Sequence, residues 1–218
     1  MRLFKRNKIF CISFQRTGTT SVGEFFEEYG YKRAGWSETH RNDWNLQYFK
    51  GDYNAIFDSK DFKQNTVFED GPWSLEDFYK VLYHQFPKSK FVLFTRDPDK
   101  WFDSMMSHSN GKTLGNTFRH CYLYGRETEF YESFQGEIDF LSSEIDNLLP
   151  LSEEHREKYI ETYVNRNYHA IQFFNAIDPL NERFIHCELE DQNKWSLLAD
   201  FFDIEISENY DVHANKSK

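Results

Sequence analysis

A short cationic turn separates an apolar run from a helical pattern near the start of the chain. The apolar run covers residues 9–14, and the turn reads Arg16-Thr17-Gly18-Thr19-Thr20-Ser21. The first N–H groups of the following helix lack intrahelical partners, and the helix dipole adds partial positive charge there. Arg16 contributes a full charge, Gly18 lets the backbone approach a ligand closely, and the hydroxyls can donate hydrogen bonds to anionic oxygens. The turn therefore predicts a binding site for phosphate or sulfate.

Two other interpretations of this turn compete with anion binding. A Walker A loop ends in Gly-Lys-Ser/Thr, and the chain has no lysine at that point of the turn. The pattern therefore disfavours an ordinary ATPase or GTPase loop. A strand-to-helix turn without any ligand is the simpler alternative, because serine and threonine are common helix caps.

A second strand-turn-helix pattern carries another arginine. An apolar run over residues 90–95 ends at Arg96, and Pro98 suits the first turn of a helix. Arg96 thus follows a predicted strand, at the edge where open parallel sheets bind ligands, so Arg16 and Arg96 are expected to face one crevice if their strands lie close together. Ser104 lies two helical turns further on. The simpler alternatives are an exposed salt bridge for Arg96 and a solvated helix position for Ser104.

Together, the two segments resemble the sulfotransferases that use 3'-phosphoadenosine 5'-phosphosulfate (PAPS). The most similar branch has an Arg-Thr-Gly-Thr loop in place of Lys-Ser-Gly-Thr, then a helix and Gly-Tyr, as in Gly30-Tyr31. Arg96 and Ser104 are eight residues apart, as is the family's arginine and serine pair for the 3'-phosphate. Further similarities are Asp70-Gly71-Pro72-Trp73, Phe86-Pro87-Lys88-Ser89-Lys90, Lys100-Trp101-Phe102-Asp103-Ser104 and Lys194-Trp195. The resemblance covers about residues 8–215, and the similarity is weak between residues 111 and 181.

The resemblance implies a fold and a donor site. The expected fold is a three-layer α/β/α arrangement around a mostly parallel sheet, of the P-loop-containing nucleotide hydrolase-like kind. It is expected to form a single domain over residues 1–218 with a helical insertion around 112–180. The resemblance also implies that the 5'-phosphosulfate of PAPS is bound by Arg16, Thr17, Gly18, Thr19, Thr20 and Ser21, and its 3'-phosphate by Arg96 and Ser104. The 3',5'-bisphosphate PAP would be the product, and no metal would be required.

The implied reaction is in-line transfer of a sulfuryl group to a hydroxyl or amine of a small-molecule acceptor. Arg16 is the residue expected to stabilise charge on the leaving oxygen. Arginine suits this role better than acid catalysis, because its guanidinium makes bidentate contacts but does not readily give up a proton at neutral pH.

The acceptor must lose a proton, and a carboxylate or histidine within hydrogen-bond reach would assist. Asp70 is the first candidate because it follows a predicted strand over residues 66–69, although Asp-Gly is also a common turn dipeptide. Glu69 is the second, since alternation along a strand lets only one of two neighbours face a given side. Asp58 ranks third, and the weaker candidates are His40, His108 and His120.

The elements that must position these residues alternate along the chain. Strands are predicted near residues 9–14, 55–58, 66–69, 91–95 and 183–187, and helices are predicted to begin near Thr19, Ser74, Pro98, Glu137, Ser152 and Lys194. Such alternation predicts a parallel sheet covered on both faces. A polar loop is expected at residues 110–116, and residues 212–216 resemble a C-terminal element that returns to the donor site in some relatives.

Length and composition agree with an α/β enzyme. The chain has 218 residues, of which 39% are hydrophobic, enough for the core of one domain. Its net charge of −10 disfavours nucleic acid and anionic membranes as partners, so positive potential must be local. Cys11, Cys121 and Cys187 are an odd number without close spacing, which indicates neither a disulfide framework nor a zinc site. No signal peptide or membrane span is predicted, so the expected location is cytoplasmic.

Two other functions compete with sulfuryl transfer. A P-loop nucleotide kinase or phosphotransferase shares the fold, but it needs a carboxylate for Mg²⁺ and the Lys-Ser/Thr ending that this loop lacks. A non-catalytic nucleotide-binding protein would keep the anion site and have no base. Donor binding without turnover on any acceptor would distinguish it from an enzyme.

Overall fold

Five parallel strands form the sheet at the centre of the protein. The structure, a computed structural model, describes residues 7–111, 118–133 and 149–212. The strand order is β2-β3-β1-β4-β5, and neighbouring strands pair in parallel. The strands are β1 (Ile9–Cys11), β2 (Arg33–Ala34), β3 (Val67–Phe68), β4 (Lys90–Thr95) and β5 (Phe184–Glu188). The predicted α/β fold around a parallel sheet is confirmed.

Helices occupy most of the connections between the strands. They are α1 (Thr19–Glu28), α2 (Trp36–Arg41), α3 (Trp44–Phe49), α4 (Tyr53–Asp58), α5 (Lys60–Gln64), α6 (Phe78–Gln85), α7 (Pro98–Ser107), α8 (Phe118–Leu123), α9 (Glu127–Ser133), α10 (Arg156–Ile177) and α11 (Lys194–Phe201). Short 3-10 turns cover His108–Gly111 and Glu153–His155. Within the described ranges, no helix is both long and apolar enough to cross a membrane.

The helix starts predicted at Thr19, Pro98 and Lys194 are confirmed. Ser152 directly precedes a 3-10 turn that continues into α10, so this start is displaced by one short turn. The start predicted at Ser74 is wrong, because the chain after Pro72 closes successive turns instead and α6 begins only at Phe78. The start predicted at Glu137 lies outside the described residues, as do most of 110–116 and of 212–216.

The strand predicted at residues 55–58 is also wrong, because this segment belongs to α4. Asp52 caps the helix by accepting a hydrogen bond from the Ala55 N–H at 3.0 Å. Ser59 then caps α5 through the Phe62 N–H at 3.2 Å. These two local caps favour helix over strand for a short run of mixed apolar and polar residues.

Apolar side chains cover both faces of the sheet. On one face, Val92 and Phe94 belong to a buried cluster with α1 and α11, in which Phe25 stacks on Trp195 at 5.6 Å between ring centroids. The other face is aromatic. There, the Phe10 ring lies 5.4 to 6.3 Å from the rings of Phe62, Phe68, Trp73, Phe86 and Phe91. The alternation of strand side chains thus produces two core layers, one on each side of the sheet.

The chain divides into two compact units. The first contains Met1–Arg96 and Ala170–Lys218, including the whole sheet, and the second contains Asp97–His169. In the second unit, Tyr124 stacks on Tyr159 at 3.8 Å between ring centroids, and the buried Arg126 donates a hydrogen bond to the Tyr159 hydroxyl at 3.3 Å. A single domain with a helical insertion around residues 112–180 stays a prediction.

Candidate functional site

The strand order changes direction at β1, the middle strand. β3 and β2 lie on one side of it, and β4 and β5 lie on the other. Cys11 at the end of β1 pairs with Val92 of β4, so these two strands are direct neighbours. Open parallel sheets bind ligands at the carboxyl ends of strands where the order reverses. The loops that leave β1 and β4 at this edge carry Arg16 and Arg96.

The turn after β1 has a backbone suited to an anion. Arg16 and Gly18 both adopt left-handed conformations, with φ of 66° and 84°. The hydroxyl of the fully buried Thr17 donates to the Phe14 carbonyl at 2.6 Å and closes the turn. The Gly18 carbonyl accepts the N–H of Val22 at 3.0 Å, which begins α1. The N-cap of α1 is Gly18, which has no side chain to cap the first N–H groups, and such turns form anion-binding concavities.

Leu189, in the loop after β5, lies against Gly18. A Cβ atom on Gly18 would be 2.9 Å from Cδ1 of Leu189, and the φ of Gly18 is one that residues with side chains rarely adopt. The Leu189 N–H donates to the Thr95 carbonyl at 2.7 Å, which holds this loop at the end of β4. The loop after β5 therefore borders the turn that contains Gly18.

Arg16 and Arg96 place two positive charges near one another at this edge of the sheet. Burial lowers the pKa of Arg16, and the positive charge of Arg96 lowers it further, since two like charges disfavour each other. Arg96 Nε donates to Glu190 Oε1 at 3.3 Å, so the loop after β5 also supplies a carboxylate to this region. Two neighbouring arginines can bind a multiply charged anion in an otherwise acidic protein.

The remaining residues predicted for the donor site lie on two helices. Thr19, Thr20 and Ser21 form the first turn of α1, and Thr20 is the most exposed of the three. Ser104 belongs to α7 in the second unit. It is only 8% exposed, and its carbonyl accepts the Ser107 hydroxyl at 3.1 Å. Ser104 is therefore buried and does not lie on a solvated helix face.

Glu69 and Asp70 follow β3 but have different surroundings. Glu69 is 2% exposed, and Arg33 Nε donates to its Oε1 at 3.1 Å. A Cβ atom on Gly35 would lie 2.5 Å from this oxygen, and one on Gly23 would lie 3.0 Å from Glu69 Cγ. Glu69 is therefore enclosed between two glycines, and its carboxylate forms an ion pair with Arg33. Asp70 is partly exposed and adopts a φ of 75°, so it is the carboxylate more open to a ligand.

The burial of Glu69 makes protein stability depend on pH. Burial raises the pKa of Glu69 to about 7, and the Asp70 charge adds to the rise while Arg33 opposes it. Its folded pKa thus exceeds the unfolded value of 4.5, so its contribution to stability is complete below pH 4.5 and is lost as the pH rises through the folded pKa. We expect a loss on the order of 3 kcal/mol in the free energy of unfolding over this window, absent in Glu69→Gln.

Urea denaturation of the wild type and Glu69→Gln at pH 5 and pH 8 measures this loss as a difference between the two proteins. Asp58→Asn is the matched control, because Asp58 is 75% exposed and its carboxylate pairs only at the surface with Lys63, at 2.8 Å. This control should keep the pH dependence of the wild type. An equal pH dependence in wild type and Glu69→Gln would contradict the burial argument.

The weaker candidates for the base lie on helices and not at the end of a strand. Asp58 ends helix α4 and no strand, so the reason for its third rank is wrong. His120 and His108 belong to the second unit, and burial, together with Arg119 and His108, lowers the pKa of His120 well below its usual range. His40 lies on α2, where its ring stacks on Trp36 with 5.2 Å between centroids.

Sequence reasoning missed three residues that shape this edge of the sheet. Arg33 lies in a strand of two residues, too short to produce a pattern. Leu189 and Glu190 follow β5 in an acidic stretch that is typical of a solvated turn. Their position directly after the strand predicted at 183–187 indicates that they lie at the ligand-binding edge, because parallel strands end at one edge of the sheet.

The described residues give no indication of a metal centre. Within 7–111, 118–133 and 149–212, no three His, Cys, Asp or Glu side chains are grouped so that they could hold an ion. The three cysteines are buried. Burial raises the pKa of Cys121 to about 11 and that of Cys187 to about 12, so both stay neutral thiols near pH 7.

Comparison with known protein families gives a match over almost the whole chain. A family model described as "Sulfotransferase domain" matches residues 8–218. The matched region contains all five strands, both arginine loops and the second compact unit. Comparison with curated proteins finds no matching relative.

Proposed function

Because the chain belongs to the sulfotransferase domain family, we propose that it transfers the sulfuryl group of PAPS to a hydroxyl or amine of a small-molecule acceptor. The observation that carries this proposal is the pair of arginines, Arg16 and Arg96, in the loops that follow the neighbouring strands β1 and β4. PAPS has anionic groups at both its 3' and 5' positions. Two cationic loops at one sheet edge suit such a donor better than a ligand with a single anionic group.

We assign the 5'-phosphosulfate to the turn after β1. The N–H groups of Gly18, Thr19 and Thr20 and the dipole of α1 favour an anion there. The residues that bind it are Arg16, Thr17, Gly18, Thr19, Thr20 and Ser21. When sulfur transfers, negative charge grows on the phosphate oxygen that leaves, and Arg16 stabilises it with bidentate contacts.

We assign the 3'-phosphate to Arg96 and, on the family's eight-residue spacing, to Ser104. Arg96 now contacts Glu190 in a pair that is partly open to solvent. Such pairs contribute at most about 1 kcal/mol. A phosphate carries more charge than a carboxylate and can accept two hydrogen bonds from one guanidinium, so it would displace Glu190.

Asp70 is the proposed base for the acceptor proton. It stands at the end of β3, which is the direct neighbour of β1, and it is partly exposed. Glu69 remains the second candidate. Its carboxylate is enclosed and paired with Arg33, which leaves it less able to reach a ligand.

A transfer assay tests the proposed function. The protein is incubated with radiolabelled PAPS and a mixture of phenols, aliphatic alcohols and amines, and a parallel sample receives ATP labelled at its terminal phosphate with Mg²⁺. We expect label to move from PAPS and not from ATP. Transfer from ATP alone would favour a phosphotransferase, and binding of PAP without transfer to any acceptor would favour a non-catalytic nucleotide-binding protein.

A further inference from the structure

Helix α2 is attached to the turn that carries Asp70. It begins at Trp36, after β2 and Gly35, and therefore stands at the carboxyl edge of the sheet. The Thr39 hydroxyl donates to the Gly71 carbonyl at 2.7 Å, in a buried hydrogen bond. Because Gly71 follows Asp70 directly, this bond fixes α2 beside the proposed base.

Most polar side chains around α2 are used to hold the helix in place. Glu38 accepts the Gly35 N–H at 3.0 Å and caps the helix. Arg41 pairs with Asp61 at 2.9 Å, and Asn42 donates to the same carboxylate at 2.6 Å. These contacts make α2 a fixed element, and they engage polar groups that could otherwise bind a polar ligand.

Trp36 projects from this fixed helix into solvent. Its side chain is 65% exposed, and its ring stacks on His40 with 5.2 Å between centroids and an interplanar angle of 3°. Residues three apart lie on one side of a helix, so Trp36 shares the side of α2 on which Thr39 contacts Gly71. An exposed indole beside a site retains a large apolar area that a ligand can cover.

The spacing of the strands indicates how far the Trp36–His40 pair lies from the loop that carries Arg16. β2 is two strands away from β1, with β3 and Asp70 between them. At about 4.8 Å per strand, the carboxyl ends of β1 and β2 are about 10 Å apart. A planar molecule of one or two rings can bridge part of this span, with its reactive group near Asp70 and its ring at Trp36.

We propose that Trp36 and His40 form the acceptor platform, and that the acceptor is a planar aromatic compound with a hydroxyl or amine. This inference rests on the proposed function. In the transfer, the acceptor oxygen or nitrogen bonds to sulfur, the bond from sulfur to the phosphate oxygen of PAPS breaks, and the acceptor proton passes to Asp70. A sugar is disfavoured because its many hydroxyls require polar partners. The polar side chains of Glu38, Arg41 and Asn42 already form hydrogen bonds or ion pairs within the protein.

Binding of 2-naphthol to the protein saturated with PAP tests the platform. Calorimetry should show that Trp36→Ala weakens naphthol binding about ten-fold, whereas Trp36→Phe retains most of the affinity because it keeps an aromatic face. Tyr168→Ala is the matched control, since it removes an aromatic ring that is 57% exposed in the second unit. All four proteins should bind PAP equally.

The outcomes separate this inference from the function on which it rests. Failure of the wild type to bind PAP would remove the donor site and the platform together. If the wild type binds PAP but not naphthol, the platform is overturned while the donor site stands. The same holds if wild type and Trp36→Ala bind naphthol with equal affinity. Binding of methyl glucoside that depends on Trp36, in place of naphthol, would overturn the aromatic class and identify a sugar acceptor.

Discussion

Arg16→Ala is expected to lower kcat about 10²–10³-fold, the loss typical when a preorganised group that stabilises developing charge is removed. Arg16 lies partly buried beside Arg96, so its charge is less screened than at an exposed surface. The developing charge on the departing phosphate oxygen would lose the cation that we assign to stabilise it. Arg16→Lys restores a charge without the bidentate fork and should give an intermediate rate. Single-turnover kinetics with labelled PAPS measures the transfer step itself.

Lys80→Ala is the control for this series, because Lys80 pairs with Asp77 at 2.6 Å on the exposed surface of α6. It should leave kcat unchanged. An Arg16→Ala variant with normal kcat and only a raised KM would show that Arg16 binds the ground state and transition state equally, which contradicts its proposed role.

Asp70→Asn is expected to lower kcat about 10²–10⁴-fold, since the acceptor would lose its base. Asparagine has nearly the same shape and, like aspartate, tolerates the left-handed backbone that Asp70 adopts, so the turn should be preserved. A base also leaves a signature in the pH–rate profile, which falls on the acidic side as the carboxylate is protonated. The residual activity of Asp70→Asn should lack this fall.

Glu69→Gln distinguishes the two neighbouring carboxylates. It should alter stability through its contact with Arg33 and change kcat far less than Asp70→Asn. If Glu69→Gln lowers kcat more than Asp70→Asn, and alone loses the fall in rate at acidic pH, the base is Glu69. That result would contradict our choice of Asp70.

The two arginine loops could be predicted because their signals are local. An apolar run followed by Arg16 and a Gly-Thr turn, or by Arg96 and Pro98, specifies a strand end and a helix start within a few residues. The parallel sheet then follows from alternation, and it brings the ends of β1 and β4 together.

Other features of the site depend on contacts that are distant in sequence. The burial of Glu69 arises from Gly23, Gly35 and Arg33, which enclose its side chain. The contact of Glu190 with Arg96 requires that β5 pair with β4. Periodicity and local propensity carry no information on either.

The strand predicted at residues 55–58 failed for a different reason. Four residues of mixed polarity fit either a strand or a helical turn. Asp52 and Ser59 are typical helix-capping residues that the sequence already shows, and their cap hydrogen bonds favour helix over strand here. The third-ranked candidate Asp58 was misplaced as a consequence.

The most direct test of the donor site is calorimetry on the wild type and Arg96→Ala with two nucleotides. PAP carries the 3'-phosphate, and adenosine 5'-phosphosulfate lacks it. We expect Arg96→Ala to weaken PAP binding roughly ten- to a hundred-fold, the value of a lost charge-assisted hydrogen bond of about 1.5–3 kcal/mol, and to leave adenosine 5'-phosphosulfate binding nearly unchanged. ATP with Mg²⁺ should bind the wild type less tightly than PAP. Equal PAP affinity in the two proteins, or tighter binding of ATP, would contradict the assignment of this sheet edge to PAPS.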